Sequence, residues 1–103
     1  MTIVTVFRSR LHPGVEDEYD LVANEMSRLV RLIEGFIDER FYLAGDGERV
    51  TVVRFRDLES HRTWAKYPEH LAAQRRGRKE FYSWYDISVS QEIYRHEFDG
   101  SES

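Results

Sequence analysis

The sequence predicts an α+β fold, an antiparallel sheet of four strands with helices on one of its faces. Three observations predict it. Apolar residues recur at helical steps from Val15 to Ile33, and again in an interrupted second region from Leu58 to about Trp84. Around these regions lie four runs rich in β-branched and aromatic residues, so the order is β-α-β-β-α-β, the ferredoxin-like split βαβ pattern. Finally, two of those runs are apolar on both sides, whereas a strand with one solvated face alternates. The sheet face without helices then needs a cover of its own. A second copy of the same sheet is the economical one, which makes a homodimer the expected assembly.

Thr2–Leu11 reads as the first strand, with Ile3 and Phe7 on one side and Val4 and Val6 on the other, and His12-Pro13-Gly14 ends it. In the helix Val15–Ile33, residues Val15, Tyr19, Val22, Met26, Leu29 and Ile33 form one stripe. Glu16, Asp17 and Glu18 lie in its first turn, where the helix dipole favours acidic side chains, and a solvated turn is expected there. Gly35 supplies the stop. Phe36–Ala44 and Arg49–Arg56 are strands joined by the hairpin signal Gly45-Asp46-Gly47-Glu48. Asp57 caps a short helix, Leu58–Lys66, which Pro68 ends because the residue before a proline is pushed out of the α region. Pro68 itself suits the first turn of a further helix, expected to reach about Trp84. Ile87–Phe98 is the expected last strand. The reading is one domain over residues 1–98 with a polar, frayed tail at Asp99–Ser103.

Composition narrows the function. A chain of 103 residues supports one core, and 19 acidic against 15 basic side chains (net charge −4) argue against general nucleic-acid binding. The absence of cysteine removes disulfides, thiolate catalysis and zinc-thiolate sites. No apolar run approaches the roughly 20 residues that span a bilayer, and MTIVTVFRSR lacks the features of a signal peptide, so a cytoplasmic protein without membrane contact is expected. His12, His61, His70 and His96 show none of the local spacings of a metal site. Phosphate-cradling glycine loops, dinucleotide fingerprints and nucleophile elbows are missing too, so nothing points to a bound cofactor.

The chemistry-bearing residues concentrate in Asp57–Asp86, which holds both tryptophans together with His61 and His70. Placed on one helix, His70, Ala73, Gly77, Phe81 and Trp84 share a face. Gly77 there costs about 1 kcal/mol against alanine, an expense that a close approach of backbone or ligand would explain. Phe81 and Trp84 then either pack a core or line a pocket. His70 is the candidate general base, because an imidazole titrates near working pH. Trp64 is either a core anchor or a flat wall for a ring-shaped ligand, and His61, one turn earlier, is a possible polar partner. The run Arg75–Lys79 reads as a solvated face or as inter-subunit ion pairs.

Taken in order, VFRSRLHPGVEDEY, EGFI (34–37), GDGERVTVVRFRD (45–57), W-AKYPEH (64–70) and QRRGRKEFY (74–82) resemble the antibiotic biosynthesis monooxygenase family over about residues 2–97. The resemblance implies two ferredoxin-like subunits joined into a dimeric α+β barrel. It also implies flavin- and metal-free oxygenation of an aromatic quinol or polyketide-like substrate. Trp64 matches the family's pocket tryptophan, and His70 stands where a base or polar partner is sought. Arg75 or Arg78 would hold an anionic substrate. Relatives often use an asparagine, and the only one here, Asn24, lies on the first helix; Ser60 is the stand-in. Haem-degrading members need a histidine about ten residues after the tryptophan, where this chain has Gln74. A non-catalytic barrel binding a small hydrophobic ligand, and a proton-transfer enzyme such as an isomerase, are the competing readings.

Overall fold

The structure, a computed structural model, describes residues 1–101; Glu102 and Ser103, the end of the expected tail, lie outside the described residues. Its elements are β1 (Ile3–Leu11), α1 (Glu16–Val30), β2 (Phe36–Leu43), β3 (Arg49–Phe55), α2 (Leu58–Ala65), α3 (Pro68–Arg76), a π-helical turn (Gly77–Phe81) and β4 (Tyr82–Gln91). The four strands form one antiparallel sheet in the order β2-β3-β1-β4, the ferredoxin-like arrangement.

Register assigns the two faces. Thr5 pairs with Val53 on one side and Val89 on the other, and Phe7 with Thr51 and Ile87, so these side chains share a face. That face carries the helices, because Thr5 touches His61 of α2. Beneath the helices Leu29, Val30, Ile33, Val53, Phe55 and Trp64 form the core, with Met26, Phe36 and Tyr67 packed against it. The opposite face presents Val4, Val6, Val50 and Val52, all half-buried without any helix over them. Strands apolar on both sides are therefore real, and one side lacks a cover in the single chain.

Two links fix the helices. Asp57 caps α2, its Oδ1 accepting the backbone N–H of Ser60 at 2.8 Å and the Ser60 hydroxyl at 2.7 Å. Gly35, at φ +93°, closes α1 onto β2, and a Cβ there would run into the Ser60 side chain. The acidic first turn of α1 is more than solvated, since Glu18 pairs with Arg76 of α3; in the next turn Asp20 lies 3.3 Å from Arg49 of β3. Arg76 also pairs with Glu80 at 2.8 Å, so one member of the basic run makes its ion pairs within the chain.

The end of the last helical region differs from expectation. The α-helix stops at Arg76, widens into the π-helical turn, and gives way to β4 at Tyr82, five residues ahead of the expected strand start at Ile87. Tyr82-Ser83-Trp84-Tyr85 is a run of strand formers, and pairing with β1 overrides the helical spacing read from the sequence. His12 N–H donates to the Phe81 carbonyl at 2.8 Å, and a register shift opposite Arg10/Leu11 accommodates the join. Strand pairing ends at Gln91, so the expected stretch to Phe98 runs on outside regular structure. Ile93, Tyr94 and Phe98 on it are 79% or more exposed.

Candidate active site

The break at Pro68 turns α3 back over the end of α2. His70 thereby lies on Trp64, the two rings stacked at 4.4 Å between centroids and 22° between planes. Tyr67, which the sequence reading passed over, packs on the same indole at 5.6 Å. Its signal was there: it lies one helical turn after Trp64, at the proline break. Trp64 is 7% exposed, so its core role and its contact with His70 coexist. Aromatic pairs of this kind contribute about 0.5–1.5 kcal/mol beyond the area they bury.

His70 Nδ1 lies 3.1 Å from the Trp64 carbonyl oxygen. A carbonyl only accepts, so Nδ1 carries the hydrogen and Nε2 keeps its lone pair. Burial pushes the imidazole below its usual pKa, and the bond to the Trp64 carbonyl, which raises it, is the smaller effect; the charge of His61 adds to the lowering. His70 is thus a neutral imidazole with an unprotonated Nε2. That is the form a general base needs.

His61 stands on the same helix as Trp64, edge-on to the buried Phe55 ring at 5.8 Å. Its Nδ1 lies 3.4 Å from the hydroxyl of Thr5, which is 8% exposed. Burial, and secondarily Arg62, lower its pKa as well. Next to Thr5 on the same sheet face, Ile87 and Val89 remain 49% and 46% exposed, an apolar strip that no helix covers.

The other residues singled out from the sequence lie apart. Ser60 is 5% exposed with its hydroxyl engaged by Asp57, a capping role. Phe81 is 1% exposed, packed edge-on against Tyr19 at 5.5 Å. Trp84 is on β4 rather than on the helical stripe with His70, and it pairs with Arg10 on the helix-free face, under the Arg8 guanidinium at 5.4 Å. Arg75 is exposed on α3 and Arg78 on the π-helical turn. An open depression of about 240 Å³ lies among Arg78, Tyr82, Ser83, Trp84 and Tyr85 and touches neither Trp64 nor His70. The stacked histidine lies away from that depression, and there an unprotonated ring nitrogen stands beside the buried indole. Burial pushes the Tyr82 hydroxyl far above the usual phenol range, which keeps it a neutral hydrogen-bond group beside Tyr19. Among the described residues no three His, Asp or Glu side chains gather in a way that would hold a metal ion, and no helix is long and apolar enough to cross a membrane.

The family model described as antibiotic biosynthesis monooxygenase matches residues 2–76, from β1 through α3. The chain belongs to that family. Trp64, Tyr67 and His70 fall inside the matched stretch, while the π-helical turn and β4 follow it. Solved structures agree in fold. Rv0793 from Mycobacterium tuberculosis superposes with a TM-score of 0.84 at 15% identity, covering 94% of this chain and 100% of its own. SnoaB from Streptomyces nogalater, described as a cofactor-independent oxygenase, gives 0.77 at 17% identity over 91% and 95%. A conserved protein from Methanosarcina mazei Go1 gives 0.79 at 13% identity over 88% and 92%. No curated protein matches the sequence. At these identities the likeness to the solved family structures shows the fold.

Proposed function

We propose that the protein is a cofactor-independent monooxygenase that acts with O₂ on a small aromatic quinol or polyketide-like molecule. Family membership supports the reaction class, and the observation that carries the site is the half-buried His70, stacked on Trp64 with Nε2 unprotonated. A flat indole edge and a neutral base suit a planar phenolic substrate.

The chemistry needs only a base and a place for the developing anion. A ring CH₂ made acidic by flanking phenol or ketone groups gives a proton to His70 Nε2. The resulting carbanion passes one electron to O₂, and the radical pair combines into a carbon-bound peroxide anion. The imidazolium returns its proton to that peroxide. His70 then removes the remaining hydrogen of the same carbon as a proton while the O–O bond breaks, and the departing hydroxide takes that proton and leaves as water. The CH₂ becomes C=O, with one oxygen atom in product and one in water, and no external reductant is consumed.

Oxygen uptake by metal-free protein against dihydroxynaphthalenes and anthrone-like compounds tests this. Protein-dependent uptake with an oxygenated product is expected, falling about 10²-fold or more in His70→Ala with binding retained. Binding without uptake would overturn it in favour of a ligand-binding barrel. Rearrangement of the substrate without uptake would make the protein a proton-transfer enzyme.

A further inference from the structure

Among the described residues the hydroxyl of Thr5 has one hydrogen-bond partner, Nδ1 of His61 at 3.4 Å. Thr5 is 8% exposed, on the helix-bearing face of β1 between Val53 and Val89. A buried O–H left without an acceptor is costlier than an oxygen lone pair left without a donor, and orphaned donors are the rarer of the two. The hydroxyl therefore donates and Nδ1 accepts. An imidazole that accepts at Nδ1 carries its hydrogen at Nε2. His70 is fixed the opposite way, since its Nδ1 donates to the Trp64 carbonyl.

We propose that Thr5 is a positioning residue that holds His61 as the Nε2–H tautomer, so that His61 offers a neutral N–H to the anionic oxygen formed when His70 takes the substrate's proton. This rests on the oxygenase reading for the identity of that oxygen, a phenolate or the peroxide. The assignment of the tautomer itself does not depend on it. The two imidazoles divide the work: one moves a proton, and the other donates a hydrogen bond without giving its hydrogen up. A neutral N–H suits the second task, because it stabilises the anion without quenching it. Burial first, then the charge of Arg62, disfavours the imidazolium at His61; burial first, then the charge of His61, disfavours it at His70, against the smaller opposing effect of the Trp64 carbonyl. The strip of Ile87 and Val89 beside Thr5 gives the substrate's apolar edge a place next to this donor.

Nitrogen-15 spectra of the histidine-labelled full chain at pH 8 read the tautomers, with the His61 signals assigned by their loss in His61→Asn. Protonated Nε2 at His61 and protonated Nδ1 at His70 are the expected result. Thr5→Val, which keeps shape and removes the hydroxyl, should move His61 toward a mixture of tautomers and leave His70 unchanged. It should lower kcat about tenfold with KM within about twofold, and Thr5→Ser should restore both spectrum and rate. Protonated Nδ1 at His61 in the wild-type protein would overturn the assignment, as would a His61 spectrum indifferent to Thr5→Val. If Thr5→Val does not fold, the wild-type and Thr5→Ser spectra decide. Absence of oxygen uptake in the wild-type protein together with the expected tautomers would remove the oxygenase reading, and with it the anionic oxygen as His61's target, and leave the hold of Thr5 on the His61 tautomer standing.

Discussion

A histidine beside a tryptophan is ordinary; what distinguishes His70 is that burial and one backbone carbonyl fix both its charge and its tautomer. This has a consequence for pH. Its folded pKa lies below the usual value of about 6.5, so the unfolded chain binds the proton more readily. The stability contributed by the neutral ring is complete above about pH 6.5 and is lost as pH falls through the folded pKa. His61, lowered by burial, acts in the same direction. Denaturant titrations between pH 7.5 and 5.5 should show stability falling with pH, less steeply in His70→Gln and least in the double variant with His61→Gln. An equally steep fall in all three proteins would refute the assignment. For activity the same sign holds: the acid limb of kcat/KM should lie below pH 6.5, since protonating Nε2 removes the base.

The elements show which parts of this were legible in the sequence. β1, α1, the β2–β3 hairpin and the Asp57 cap were readable because period, turn residues and cap chemistry all agree there. The stretch after Arg76 was not, because Gly77, Phe81 and Trp84 fit a helical period while Tyr82–Tyr85 fit a strand, and only pairing with β1 decides between them. The Trp64–His70 stack could be anticipated from the proline break between them. Thr5 could not, since a single hydroxyl on an apolar strand shows its partner only in three dimensions. Gly77 was flagged for a close approach, and a Cβ there would run into the Tyr82 ring. Gly77→Ala sets about 1 kcal/mol of helix propensity in favour of alanine against about 1–3 kcal/mol of overpacking. Overpacking should win, because Tyr82 is wedged between Phe7 at 5.4 Å and Tyr19 at 5.7 Å and has nowhere to turn. A Tm lower by several degrees is expected, and an unchanged or higher Tm would mean that the ring yields.

At the scale of the molecule, the single chain carries more surface than its size warrants. A compact protein of 12.3 kDa exposes about 6,100 Å², whereas this chain exposes 7267 Å². Its radius of gyration is 14.9 Å, against about 13 Å for a compact domain of this length. The excess, roughly 1,200 Å², exceeds the ~800 Å² that each partner gives to a standard interface. Its apolar part includes Tyr42 and Trp84 on the helix-free face and Ile93, Tyr94 and Phe98 after β4. Val4, Val6, Val50 and Val52 line the bare face, bordered by Arg8, Arg10 and Arg40 and by Asp38 and Asp86, while Ile93, Tyr94 and Phe98 project into solvent. A patch with an apolar centre and both charges at its rim is complementary to itself, so the proposed occupant is a second copy related by a two-fold axis. Light scattering at micromolar concentration should give twice the chain mass. Val52→Asp, which places a carboxylate at the middle of the bare face and away from the helix-side core, should give the chain mass with near-native circular dichroism. A wild-type protein of single-chain mass would sink the dimer. If the Val52→Asp monomer keeps its oxygen uptake, the site is complete within one chain, as expected for a stack built wholly from α2 and α3; loss of uptake with the His70 and His61 tautomers unchanged would show that the second copy closes the substrate's side of the site.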